Sequence, residues 1–341
     1  MNRERQNMGN GTRQPVETFG AHSLDLDAEH EVQRIIDFLR RTVHEKLHRQ
    51  GAVVGISGGI DSSTVLALCA RAFGQQHVVG VLLPERHSSP ESADLAHMLA
   101  EQYGVPTITE DISDALEGMG CYRRLNEAIV RVFPEYGAGW KAKIVLPGSL
   151  LEQQTLNIFS LKVTAPDGRE YSKRLPLVEY YQIVASSNFK QRTRMAMLYY
   201  HAELRNYAVI GTANKNENDL GFLVKYGDGG VDISPIRHLF KSQVYQLAGY
   251  LGVPEAIAQR VPTSDTYSGG STQEEFFFRL PFHILDVIWY GYEHGTDKAE
   301  MAGALGLTAE QVERIVQDII RKERTTAYLR MAPIAITGEQ V

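Results

Sequence analysis

A short apolar run, Ala52-Val53-Val54, leads into Gly55-Ile56-Ser57-Gly58-Gly59-Ile60-Asp61-Ser62-Ser63, and Thr64-Val65-Leu66-Ala67-Leu68-Cys69-Ala70 follows at once. That order spells a buried strand, a glycine–hydroxyl turn and the start of a helix. Gly58 and Gly59 let backbone N–H groups approach an anion closely. Ser57, Ser62 and Ser63 supply hydroxyl donors, and the new helix points its positive end at the same spot. Asp61 adds a carboxylate where a phosphate-bound Mg²⁺ would sit. The turn is not a Walker A loop, because it contains no lysine. Its residues are those of a loop that holds phosphate together with a metal.

The flanking sequence supplies a sheet for that loop. Val32, Ile35, Ile36, Leu39, Val43 and Leu47 recur at helical spacing and predict a helix over 28–48. Further helices are expected up to about residue 73 and over 90–103, the latter capped by Ser88 or Ser89 ahead of Pro90. Residues 77–83, 106–109 and 207–211 read as buried strands, with helices over 188–205 and 242–251. This alternation predicts an α/β fold, a doubly wound and mainly parallel sheet with helices on both faces and ligands at the strands' carboxyl ends. Residues 112–187 break the rhythm. Two strand-like runs, 157–164 and 169–175, flank Ala165-Pro166-Asp167-Gly168 and predict a β-hairpin inside an insertion at the sheet's edge. Residues 1–27 read as a flexible tail, 28–330 as a single domain, and 273–328 as two or three closing helices.

Composition narrows the class. The 341 residues carry a net charge of −6, which makes no case for nucleic-acid binding. No apolar run approaches the roughly 20 residues of a membrane span. Two cysteines, Cys69 and Cys121, cannot build a disulfide framework or a cysteine metal site, and they point to a reducing cytoplasm. His44-Glu45-Lys46-Leu47-His48 matches the His-Glu-x-x-His pattern of zinc peptidases. The apolar stripe runs through Val43 and Leu47, so both histidines fall on the helix flank and read as solvated side chains.

Three further clusters complete the pattern. Gly211-Thr212-Ala213-Asn214-Lys215-Asn216-Glu217 follows a strand directly. Gly221-Phe222-Leu223-Val224-Lys225-Tyr226-Gly227-Asp228-Gly229-Gly230-Val231-Asp232-Ile233-Ser234-Pro235 lies just beyond, and the third is Lys241, followed at some distance by Val261-Pro262-Thr263. The phosphate loop resembles the Ser-Gly-Gly-x-Asp-Ser loop of the ATP pyrophosphatases, which have Rossmann-like sheets. Taken with the later clusters, residues 28–265 resemble the NAD⁺ synthetases, which amidate deamido-NAD⁺.

The resemblance implies specific roles. Gly55, Ile56, Ser57, Gly58, Gly59, Ile60, Asp61 and Ser62 would hold the ATP phosphates, with Thr212, Lys241 and Thr263 as further ATP contacts. Asp61 and Glu217 would bind Mg²⁺. Asp61, Lys241 and Thr263 would serve catalysis. Arg192, Lys225, Asp232 and Arg324 would contact deamido-NAD⁺. The implied reaction makes an acyl adenylate from ATP, releases pyrophosphate, and lets ammonia displace AMP. The family is homodimeric, with the dinucleotide bound across the interface.

Glutamine-using members carry an amidase domain ahead of the loop. Here 54 residues precede Gly55, too few for one. Neither cysteine has the setting of an activated nucleophile. Ammonia is therefore the expected direct donor, with a separate glutaminase partner left open.

Three departures from the family pattern stand out. The 112–187 segment is long. Pro262-Thr263-Ser264-Asp265-Thr266-Tyr267 replaces Pro-Thr-Ala-Asp/Glu-Leu, and the Ser268-Gly269-Gly270-Ser271-Thr272 stretch after it reads as a lid. Glu323-Arg324 stands where a His-Lys pair is common. The alternatives are another AMP-forming ligase or amidotransferase of the same superfamily, or a nucleotide-binding regulator without catalysis.

Overall fold

Side-chain alternation along four short strands sorts the core into two layers. In β1 (Ala52–Gly55), Ala52 and Val54 pack to one side of the sheet and Val53 to the other. β2 (Val78–Leu82) sends Val78 and Leu82 one way and Val79 and Val81 the other, and β7 (Ala208–Ile210) divides its three residues likewise. Both faces are apolar because helices cover both, as a parallel sheet requires. The computed structural model describes residues 19–146, 148–152, 159–264 and 267–335.

The strand order is β3-β2-β1-β7, with β3 spanning Thr107–Thr109 and every pairing parallel. A parallel bridge from Ile210 to Ile233 extends the β7 edge. The chain runs from β1 outward through β2 and β3, then returns to β7 on the other side of β1. The carboxyl ends of β1 and β7 therefore flank the switch point at which open α/β sheets bind ligands.

On one face lie α1 (Ala28–Arg40), α2 (Ile60–Phe73), α3 (Pro90–Tyr103) and α8 (Lys241–Leu251). On the other lie α4 (Ser113–Gly118), α5 (Cys121–Val132) and α6 (Leu177–Arg205). The short α7 (Lys215–Leu220) and α9 (Glu255–Ala258) sit within the loops that follow β7 and α8. A separate core gathers α10 (Phe282–Glu293), α11 (Lys298–Leu305) and α12 (Ala309–Thr326) around Trp289, which is fully buried.

Four sequence readings change. The first helix leaves α geometry at Arg41 and continues as π-type turns to Lys46, with Leu47 N–H donating to Thr42 O. His48 then adopts φ +54°, past the helix end, and the exposed His44 sets its ring edge against Phe73. The His-Glu-x-x-His run thus does not form two successive turns of one regular helix. Second, α6 begins at Leu177 after Pro176, eleven residues before the expected start, so 177–187 belong to it. Third, the hairpin exists as β5 (Ser160–Thr164) and β6 (Glu170–Arg174), joined by an unforeseen β4 (Lys141–Val145) in a three-stranded antiparallel sheet. Residues 157–158 of the expected first hairpin strand lie outside the described residues. Fourth, of the tail expected over 1–27, residues 1–18 lie outside the described residues, but 19–27 pack. Leu24 is buried, and Gln246 bonds both Leu24 O and Leu26 N–H.

Candidate active site

The turn after β1 closes as the sequence implies. Gly58 has φ +68°, and a Cβ there would lie 2.5 Å from Ser92 O and 3.0 Å from Leu95 Cβ. Both the backbone angle and the contact require glycine. Gly59 caps α2, and its carbonyl accepts from Ser62 Oγ at 3.0 Å and Ser63 Oγ at 2.8 Å. Ser62 Oγ in turn accepts from Ser57 N–H at 3.3 Å. The hydroxyls thus brace the loop, and the α2 N-terminus faces a cavity of about 140 Å³. Gly58→Ala is expected to destabilise the fold, since a wrong backbone angle and a clash with α3 each cost about 1–3 kcal/mol, and a thermal melt against wild type checks it.

Beyond β7, Asn214 and Glu217 form a reciprocal cap on α7. Glu217 N–H donates to Asn214 Oδ1 at 3.0 Å, and Asn214 N–H donates to Glu217 Oε2 at 3.3 Å. Asn214 also donates Nδ2–H to Asp61 Oδ1 at 2.9 Å, which ties this cap to the phosphate loop. Lys241, the first residue of α8, is wholly buried and pairs with Asp61 Oδ2. A lysine is unfavourable at a helix N-terminus, so its placement answers to the carboxylates. Burial alone would lower its pKa, but Asp61 and Glu217 hold it above the ordinary lysine range. Asp286 fixes α8 by accepting from Ser242 N–H at 2.8 Å and from Asn216 Nδ2–H at 2.5 Å. Burial, and then the facing Asp61 carboxylate, push the Glu217 carboxyl up to about 8. Gln273 donates Nε2–H to Glu217 Oε1 at 2.9 Å.

A second cavity of about 520 Å³ opens beside the first and shares Ser57, Thr212, Glu217, Asp228, Thr263 and Gln273 with it. Gly55 and Ile56 line this larger space, as do Leu82, Leu83 and Pro84 at the end of β2. Its far wall is aromatic, with Phe159 stacked on Tyr180 at 4.5 Å, and with Tyr267 and Phe276 beside them. The 112–187 segment therefore contributes directly to the cavity wall.

The expected lid forms a short ribbon, β8 (Thr263–Ser264) against β9 (Ser271–Thr272). It is tied to β4, where Gly269 N–H donates to Ala142 O and Ala142 N–H donates to Ser268 Oγ, each at 3.0 Å.

The nucleotide-side expectations converge on these cavities, but the four dinucleotide-side residues do not line either one. Arg192 is exposed and donates Nε–H to Lys225 O at 3.1 Å. Lys225 Nζ reaches Tyr328 O at 3.0 Å. Asp232 accepts from Tyr199 OH and from Val209 N–H. Arg324 is exposed on α12. Arg194, two residues after Arg192, faces the larger cavity instead and donates Nε–H to Leu83 O at 3.1 Å. Helical spacing carried that signal, because Arg194 falls in step with buried Met195, Leu198 and Ala202. Asp228 went unassigned inside its glycine cluster. It lines both cavities, and burial pushes its carboxyl up to about 6.

The sequence profile of the family described as NAD synthase matches residues 31–130 and 152–328. An NH₃-dependent NAD⁺ synthetase of Mesorhizobium japonicum is 50% identical over 311 residues, covering 91% of this chain and 97% of that protein. One from Rhizobium meliloti is 46% identical, covering 92% and 94%. Among solved structures, the NMN synthetase of Francisella tularensis aligns over 93% of this chain and all of that chain with TM-score 0.61 and 21% identity. The NH₃-dependent NAD synthetase of Campylobacter jejuni aligns over 92% and all of its chain with TM-score 0.57 and 23% identity. Both structures share the fold. The family profile and the sequence relatives establish more: this chain belongs to the NAD synthase family.

Proposed function

We propose that this protein makes NAD⁺ from deamido-NAD⁺, ATP and ammonia, releasing AMP and pyrophosphate. One observation carries the reading. A glycine loop at the sheet's switch point, with Asp61, Glu217 and Lys241 clustered beside it, opens into a space large enough for a second substrate.

A nicotinate carboxylate is a poor acyl donor because its leaving group would be oxide. Its oxygen attacks the α-phosphate, the bond from that phosphorus to the bridging oxygen breaks, and the electron pair leaves with pyrophosphate. Ammonia then adds to the acyl carbon, AMP departs, and one proton is lost to solvent. The protein aligns the reactants and stabilises charge. Gly55 to Ser62 and Thr212 hold ATP, Lys241 organises the carboxylates, and Thr263 closes over the nucleotide from the ribbon.

Asp61 and Glu217 fit Mg²⁺. Each carboxylate oxygen keeps lone pairs beyond its present hydrogen bond, and Glu217 is pushed up first by burial and then by the facing Asp61 carboxylate, the second of which a cation between the two would offset. Two carboxylates completed by phosphate oxygens are a usual magnesium donor set. The ion would neutralise phosphate charge.

The same reading makes residues 28–330 one catalytic unit and the assembly a homodimer. Val178, Tyr181, Tyr200 and Leu204 leave an exposed apolar stripe on α6, and Arg192 lies on the same face. Arg192, Lys225, Asp232 and Arg324 would then meet a dinucleotide seated between two copies. Two free thiols, both buried, accord with a cytoplasmic setting. Among the described residues, no helix is long and apolar enough to cross a membrane.

The test is product formation by the purified protein with ATP, Mg²⁺, deamido-NAD⁺ and either ammonia or glutamine. NAD⁺ and pyrophosphate should appear in equal amounts with ammonia and stay near background with glutamine. Equal turnover with glutamine would overturn the ammonia assignment. Neither product from deamido-NAD⁺ would overturn the substrate.

A further inference from the structure

The small cavity takes two basic side chains from its walls, Lys241 and Arg260. Lys241 is committed, since it is wholly buried and paired with Asp61. Arg260 differs. Its Nη2–H donates to Ser92 Oγ at 2.8 Å, and among the described residues no carboxylate pairs with it. A guanidinium has five N–H donors in a planar fork that matches phosphate oxygens, so most of that fork remains for a ligand. Ser92 is the α3 residue whose carbonyl a Cβ on Gly58 would strike, so Arg260 is anchored directly behind the phosphate loop. Arg260 lines the small cavity, which the α2 N-terminus faces, and not the large one.

We propose that Arg260 grips the β- and γ-phosphates of ATP and stabilises the pyrophosphate as it leaves, a catalytic contact on the leaving-group side of the α-phosphate. The inference rests on the reaction proposed above. As the α-phosphorus forms its new bond to the substrate carboxylate oxygen, its bond to the bridging oxygen breaks and the electron pair passes to pyrophosphate. Charge builds there, at the N-terminus of α2 and within reach of the loop. A cation already tied to a carboxylate answers that charge poorly, and one without such a partner answers it well. Arg260 also stands just ahead of β8, through Val261 and Pro262, so phosphate capture would draw the ribbon carrying Thr263 towards the nucleotide.

The test compares wild type, Arg260→Gln and Arg260→Lys. Gln keeps a donor for Ser92 but no charge, and Lys keeps charge without the fork. Calorimetric titration with magnesium pyrophosphate and, separately, with AMP supplies the readout, with a thermal melt for each variant. Loss of a charge-assisted contact predicts that Arg260→Gln weakens pyrophosphate binding by about tenfold or more and AMP binding by less than about twofold, with partial recovery in Arg260→Lys. Equal weakening of both ligands, or unchanged pyrophosphate affinity, would overturn the proposal. NAD⁺ formation by the same wild-type preparation separates the two claims. Arg260-dependent pyrophosphate binding without NAD⁺ formation would uphold this contact and sink the substrate assignment.

Discussion

Replacing Asp61 by alanine or asparagine is expected to lower NAD⁺ and pyrophosphate formation by about 10³-fold or more, the scale of losing a preorganised charged group at a reacting phosphate. The side chain does three jobs at once. Its Oδ2 accepts from buried Lys241, its Oδ1 accepts from Asn214 at 2.9 Å, and it opposes Glu217. Asparagine preserves the volume and removes the charge, so it separates electrostatics from packing. Lys241 would keep Glu217 as a carboxylate neighbour in either variant, which argues that the fold survives. The measurement is single-turnover pyrophosphate release, with a thermal melt as the folding control. More than a tenth of wild-type turnover in a well-folded Asp61→Asn protein would remove Asp61 from the chemistry. ATP binding that persists while turnover disappears would place its contribution in the transition state rather than in the ground state.

What the sequence made legible follows from how local each signal is. The strand–glycine–helix unit at 52–73 is decided within twenty-odd residues, by a short apolar run, a turn of glycines and hydroxyls, and an apolar helix start. It therefore appears in the structure as read. Asp61, Glu217 and Lys241 come from three distant segments, and only the fold could bring them together. The resemblance named them, and the Asn214 cap explains physically how two of them meet. β4 was missed because Lys141-Ala142-Lys143-Ile144-Val145 buries just Ala142 and Ile144, a half-buried edge whose partner lies nearly twenty residues on. The early start of α6 was hidden for the opposite reason. Leu177, Val178 and Tyr181 are apolar yet face outward, so the first turns carry no inward stripe to read. Arg192 and Arg194 differ by two residues on one helix, about 200° of rotation, and motif matching is blind to that angle. Arg192 matched the pattern, while Arg194 faces the cavity.

The largest effect on stability is expected away from the reacting groups, at a buried ion pair that the motif reading never touched. Lys190 Nζ lies 2.9 Å from Glu85 Oε1, and both side chains are completely buried. Tyr122 OH donates to Glu85 Oε2 at 2.7 Å, and Lys190 also reaches His87 Nδ1 at 3.0 Å. Burial, and then the Lys190 charge, pull the His87 pKa down to about 4, so near neutral pH the imidazole is an uncharged acceptor for that ammonium. The cluster fastens the 83–89 loop, which walls the larger cavity, to α6, and Arg194 repeats the tie one turn later through Leu83 O.

Lys190→Met would strand a carboxylate in the core. Breaking a buried pair from one side costs about 3–5 kcal/mol, whereas removing both charges together is often close to neutral. The double variant Lys190→Met/Glu85→Gln should therefore recover most of the stability that the single one loses.

A pH series adds an independent check. Burial alone would raise the Glu85 pKa, but Lys190 and Tyr122 hold it below the ordinary carboxylate value. A group depressed in the folded state contributes stability above its unfolded pKa, and that contribution is lost as pH falls through the folded value. Wild type should lose stability on acidification through the carboxylate range more steeply than Glu85→Gln does. Denaturant melts of the three variants between neutral and mildly acidic pH would measure both effects. A Lys190→Met protein within about 1 kcal/mol of wild type, the worth of an exposed pair, would mean that water reaches this cluster and that the loop is held by Arg194 instead.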